Sequence, residues 1–177
     1  HIRILQLTYA AQLADSVVRL GKAGVLDCVT DERRALRLAS GAAQAARMGI
    51  TEPAAAFTTS AELFGCADWT VALDGADGLA AGDGMDSTEG TSAPDGLGEA
   101  GATAPTGADA EAAPAFTVTA HTCLLCALVK RSGGPSPCRL YCLDPIEAMV
   151  KGLDAEAGFD VEETLYDGAE CRVRVGR

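Results

Sequence analysis

Cys123, Cys126, Cys138 and Cys142 form one C-x-x-C and one C-x-x-x-C, separated by eleven residues. Thiols at these spacings converge on one metal ion, typically a tetrahedral zinc, or form a redox dithiol. The competing reading is packing. Cys123 and Cys126 bracket Leu124 and Leu125, and in such an apolar run a free cysteine packs as a small hydrophobe. The residues alone leave both readings open. Cys28, Cys66 and Cys171 are expected to be packing residues. His121, two residues before Cys123, is a fifth candidate ligand or a general base beside Cys123 or Cys126. A Ser-His-Asp triad would have to use it, and no G-x-S-x-G nucleophile elbow accompanies it. Neither a Walker loop nor a dinucleotide-binding glycine fingerprint is present. Lys130-Arg131 beside Gly133-Gly134 is the one basic pair near the cysteines, and such pairs are usually surface.

The elements that position these residues follow from hydrophobic period and end signals. Leu5, Tyr9, Leu13, Val17 and Leu20 make a stripe that predicts an amphipathic helix over 3–22. Thr30 or Asp31 is expected to cap a second helix. Its face would be Leu36, Leu38, Ala39, Ala42, Ala43 and Ala46, with Gly49 as its end. A third helix should follow Glu52-Pro53 and reach about Leu63. Trp69, Val71 and Leu73 alternate as a strand, as do Phe116, Val118 and Ala120. Ser136-Pro137 reads as the start of a helical turn carrying Cys138 and Cys142. Asp144-Pro145-Ile146-Glu147 reads as an N-cap, a first-turn proline and a capping acid, which accounts for Asp144 structurally. The last element is a hairpin with a three-residue connection, 167–169, pairing Leu165 with Cys171, Val161 with Val175 and Glu162 with Arg174.

Between the two halves lies the clearest boundary. Residues 74–114 hold nine acids, nine Gly and eleven Ala, with no Lys, Arg or aromatic residue. That composition cannot offset its ordering entropy, so a disordered acidic insertion is expected. The organisation is then 1–73, helical plus one strand; 74–114, linker; and 115–177, completing the same domain. The net charge of −11 disfavours a phosphate backbone and hence nucleic acid. No apolar run approaches the ~20 residues that span a bilayer, so no membrane partner is expected. With no signal peptide visible, reduced thiols in a cytoplasm are expected.

The strand before Cys123, the second cysteine-bearing turn, Tyr141-Cys142-Leu143-Asp144 opening a helix, and Gly168-x-x-Cys171 in the hairpin have a collective look. Residues 115–175 resemble the C-terminal half of the 4-vinyl-reductase-type ligand-binding superfamily. Within it they are most similar to proteins described as L-2-amino-thiazoline-4-carboxylic acid hydrolases. The resemblance implies an α/β (α+β) fold in which N-terminal helices pack on a curved antiparallel sheet and enclose an apolar pocket. It also implies, from phenol-sensing relatives, a zinc held by three cysteines and a glutamate. Carried over, these would be Cys138 or Cys142, Cys171, and Glu162 or Glu163. The middle cysteine is missing, because Leu165 and Tyr166 stand there. The expected function is a small-molecule-binding domain for an apolar or carboxylated ligand. Its cysteine cluster, Cys123, Cys126, Cys138 and Cys142, would be a candidate zinc site, and a second copy of the chain, as a homodimer, a candidate partner. The alternative is a ring-opening hydrolase. There a thiolate, Cys142, or a metal-bound water attacks the ring C=N carbon while Asp144 or His121 moves the proton.

Overall fold

A computed structural model describes residues 2–65, 67–74 and 115–176. The expected insertion therefore lies outside the described residues save for Asp74, as does Cys66. Among the described residues, five helices and four strands are formed: α1 (Ile2–Lys22), α2 (Leu26–Arg47), α3 (Ala55–Phe64), β1 (Thr70–Leu73), β2 (Phe116–Ala120), α4 (Leu124–Arg131), α5 (Asp144–Leu153), β3 (Gly158–Glu163) and β4 (Cys171–Gly176). A π-helical turn, Arg139–Leu143, runs directly into α5. The fold is α+β. Its sheet has the order β1-β2-β4-β3 with every pair antiparallel, so strands from both sides of the insertion share one sheet.

Alternation decides the two faces of the sheet. Phe116, Val118 and Ala120 of β2 and Cys171, Val173 and Val175 of β4 are buried, while Arg172 and Arg174 face solvent. Against the buried face lie Phe57 of α3 and Ile146, Met149 and Val150 of α5. Phe57 is fully buried and stacks on Phe159, with its edges towards Trp69 and Phe116. Burying an aliphatic or aromatic side chain of this size contributes about 1.5–3 kcal/mol, so this cluster is the main source of stability. A second cluster joins α1 to α4 through Ala14, Val17, Leu125, Val129 and Leu140.

α5 is sandwiched between the sheet and α2, and the contact with α2 is backbone-close. A Cβ at Gly41 would overlap the Ala148 carbonyl, and one at Gly152 would overlap the backbone of Gly41 and Ala42. Only hydrogen side chains permit that approach.

Four sequence expectations are corrected by the packing. α2 starts at Leu26, not at a Thr30 or Asp31 cap, because Val25 follows the left-handed Gly24 and Thr30 bonds back inside the helix to Leu26 O (2.7 Å). The buried face of α2 is Leu26, Thr30, Gly41 and Ala45, with Arg34 and Arg37 between them. Leu36, Leu38, Ala39, Ala42, Ala43 and Ala46 are exposed instead. Likewise α1 buries Ala10, Ala14 and Val17 and leaves Leu5 and Tyr9 exposed, so its N-terminal turns extend past the core. In the hairpin Phe159 pairs with Val175 and Val161 with Val173, two residues from the expected register, and Asp160 rather than Glu162 opposes Arg174. A bulge between Val161 and Glu163 absorbs the difference, and the connection runs over 164–170. Because the shift is even, the inward faces are retained. The longer connection is held by the Glu163 carboxylate, which accepts from the N–H groups of Ala169 (2.6 Å) and Glu170 (3.4 Å).

Candidate functional site

The cysteines are brought together by three elements. Cys123 is the N-cap of α4, and its Sγ accepts from the Cys126 N–H at 3.4 Å. That geometry makes the C-x-x-C a helix start, which the apolar run alone did not reveal. Asp68 fixes the preceding turn, its Oδ1 accepting from the N–H groups of His121 (3.0 Å) and Thr122 (2.8 Å). Cys138 stands at the head of the π-helical turn, held by Ser136 Oγ, which accepts its N–H at 3.4 Å. The Cys126 and Cys138 sulfurs are 3.5 Å apart and both residues are buried. Cys171 enters from β4, its Sγ accepting from Leu165 N–H at 3.1 Å. Cys142 instead lines a cavity shared with α2. Among the described residues no group of three or more His, Cys, Asp or Glu side chains is arranged to hold a metal ion. Of the four cysteines expected from spacing, Cys126 and Cys138 are in contact and Cys123 lies beside Cys126, while Cys142 lines a different cavity.

The electrostatics of the thiols are asymmetric. A hydrogen bond from Cys126, reinforced by the Ser136 and Thr164 hydroxyls against the cost of burial, brings the Cys138 thiol down to about 6. Hydrogen bonds to Cys123 and Cys138, together with burial, push the Cys126 thiol up. The upward shift of Cys126 and the downward shift of Cys138 both favour Cys126 as the donor of that hydrogen bond. Burial pushes Cys171 up to about 11, only partly offset by the Leu165 N–H. The Cys138 shift is that of an acid with a depressed folded value. Its stabilisation is complete above about pH 9, the ordinary thiol value, and lost as pH falls through about 6. Ultraviolet thiolate absorbance of the wild type, less that of Cys138→Ser, is expected to show one thiolate with a midpoint near pH 6. A midpoint near the ordinary thiol value would refute the Cys126–Cys138 hydrogen bond.

The second feature is a cavity of about 170 Å³ bounded by α1, α2, α3, the π-helical turn and α5. Phe64, Trp69, Ile146 and Met149 supply apolar wall, and Tyr9, Arg37, Gln44, Ser60 and Tyr141 supply polar groups. The Nη1 of Arg37 is buried with no hydrogen-bond partner. Burial, with the like charge of Arg33, pulls that guanidinium below its ordinary value, and the charge of Asp144 opposes the fall. A buried donor without an acceptor costs about 1–3 kcal/mol, so an acceptor entering the cavity would recover it.

One turn earlier on the same face of α2, Arg34 clamps two α5 carboxylates. Its Nη2 donates to Glu147 Oε1 at 2.8 Å, and its Nη1 donates to Glu147 Oε2 and to Asp144 Oδ1 (3.1 Å). Arg139 Nε lies 3.7 Å from Asp144 Oδ1. Asp144 thus pairs with arginines and does not cap α5: the preceding turn is already helical, which leaves no free N–H for it to cap. Burial nonetheless holds its carboxyl above the ordinary value, against Arg139 and Arg34.

The structure does not unite the residues expected for hydrolysis. Cys142 lines the Arg37 cavity, Asp144 a cleft with Arg34 and Cys138, and His121 a surface hollow with Cys123 and Cys126. His121 is exposed, with Nδ1 3.5 Å from Glu170 Oε2. Lys130 sits over the Tyr166 ring at 5.6 Å, a structural cation–π contact. Sequence reasoning missed Arg34 and Arg37. Their signal was the Leu26-Thr30-Arg34-Arg37-Gly41-Ala45 period, a helix face on which two arginines alternate with small residues.

The fold and cavity define an α+β domain with a small, partly apolar cavity lined by one half-buried cation, Arg37. No family model, curated protein or solved structure matches the chain.

Proposed function

We propose that this chain is a small-molecule-binding domain whose ligand is a compact apolar carboxylate, its acid group on Arg37 and its body among Trp69, Phe64, Ile146 and Met149. The observation that carries this reading is Arg37, which lines the cavity beside Phe64, Trp69, Ile146 and Met149 and whose Nη1 has no hydrogen-bond partner. A charge-assisted hydrogen bond there is roughly twice as strong as a neutral one. The size is consistent, since an apolar cavity of about 150 Å³ accommodates benzene. The resemblance to the 4-vinyl-reductase-type superfamily implied the same kind of ligand. The hydrolase reading is weaker, because Cys142, Asp144 and His121 line three separate hollows.

Thermal-shift and calorimetric titration with benzoate and with benzamide tests it. Benzoate is expected to bind saturably and to raise the melting temperature, while benzamide binds at least tenfold more weakly. Arg37→Met should erase the preference, a loss of about 1.5–3 kcal/mol. Equal binding of acid and amide, or a preference unchanged by Arg37→Met, would sink the reading.

A further inference from the structure

We propose that Cys138 and Cys126 are an oxidation site: a hydroperoxide reacts at Cys138, and Cys126 resolves the product as an intrachain disulfide.

Three placements support this. The two sulfurs are already 3.5 Å apart, so forming the bond requires them to approach by only about 1.5 Å. They come from separate elements, Cys126 from the first turns of α4 and Cys138 from the head of the π-helical turn, so the bond would tie two segments that currently only pack. Each of the two residues also lines an opening of its own. Cys138 lines the cleft under α2 with Arg34, Arg139, Ser136 and Thr164, while Cys126 lines the separate hollow with His121 and Cys123.

We take Cys138 as the attacking sulfur because it lines the cleft under α2, and the downward shift of its thiol, which favours the nucleophilic thiolate, agrees with that placement. Its thiolate attacks the nearer peroxide oxygen. The S–O bond forms, the O–O bond breaks and the alcohol or water leaves as the reduced product, with Cys138 oxidised to sulfenic acid. The Cys126 sulfur then attacks that sulfur. The S–S bond forms, the S–O bond breaks, and the oxygen departs as water carrying the Cys126 proton. One hydroperoxide is reduced by two electrons and two thiols become one disulfide. A dithiol reductant reverses the change by thiol–disulfide exchange.

Cys123, whose sulfur accepts from the Cys126 N–H at 3.4 Å, is the competing partner, and the mapping below distinguishes the two linkages.

Treating the full, reduced chain with a stoichiometric amount of hydrogen peroxide tests the proposal. Of its seven thiols, two are expected to disappear, with peptide mapping of the unreduced protein giving a Cys126–Cys138 linkage that dithiothreitol reverses. In Cys126→Ser the sulfenic acid at Cys138 should persist and be trapped by dimedone, while Cys138→Ser should keep all six remaining thiols at the same peroxide dose. A Cys123–Cys126 linkage would overturn the proposal. So would first oxidation at the exposed Cys28, or one tightly held zinc per chain that shields the thiols from peroxide. The wild-type mapping stands even where a serine variant fails to fold.

Discussion

Replacing Arg34 with Met is expected to cost about 3–5 kcal/mol at neutral pH, the usual penalty for stranding buried charge. Asp144 and Glu147 are almost entirely buried one turn apart on α5, and Arg34 bonds to both. Without it, Arg139 is left as the one ion-pair partner of Asp144 among the described residues, at 3.7 Å. Two like charges then face each other in low dielectric, and the Asp144 carboxyl, which burial already holds above its ordinary value, loses an opposing cation. A group whose folded value lies above its unfolded one is stabilising when protonated. The deficit of the variant is therefore full at neutral pH and narrows as pH falls towards the ordinary carboxylate value. Urea unfolding at pH 7 and at pH 5 measures both. Adding Asp144→Asn and Glu147→Gln to Arg34→Met should recover most of the loss, because neutral amides tolerate the site. A loss under about 1 kcal/mol at pH 7, the size of an exposed ion pair, would show that water reaches the cluster.

The second large effect is expected at the α2–α5 crossing. Gly41→Ala places a methyl group where the Ala148 carbonyl already stands, and neither helix backbone has a side chain that can swing away. Overpacking of this kind costs about 1–3 kcal/mol and sometimes more. The consequence should extend beyond stability. α2 carries Arg34 to the α5 carboxylates and Arg37 into the cavity, so displacing it should weaken benzoate binding as well. Gly41→Ala should therefore fail in both assays, whereas the exposed Ala43→Ser should alter stability by no more than about 0.5 kcal/mol. Wild-type stability in Gly41→Ala would mean that the helices cross farther apart than described.

Much of the architecture was legible in the residues. The three N-terminal helices, the strands around 69–73 and 116–120, and α5 follow from period and end signals, because each lies where local preference and burial agree. The failures share one cause: tertiary contact chose between locally equivalent options. Leu36 and Leu38 looked like the core face of α2, yet a leucine cannot stand where Gly41 meets Ala148. Asp144 looked like a cap until Arg34, 110 residues away, claimed its carboxylate. The hairpin register depended on a bulge that has no composition signal at 161–163. For the site, spacing identified Cys123, Cys126 and Cys138 as neighbours but could not tell which way Cys142 turns out of a π-helical turn. An α-helical reading of 138–144 sets every following side chain on a different face.

The sheet order carries a consequence for synthesis of the chain. β4 is the last of the four strands to be made, yet it occupies the interior of the sheet between β2 and β3. The ribosome therefore delivers three strands before the one that joins them. β1 and β2 can pair with each other, but β3 has no partner until Cys171–Gly176 has emerged. Throughout that interval the edge of β2, bearing Phe116, Val118 and Ala120, is open to any extended chain nearby. Nascent chains stalled before Cys171 should thus be the ones that aggregate or recruit chaperones, and release of the final strand should end that exposure in a single step.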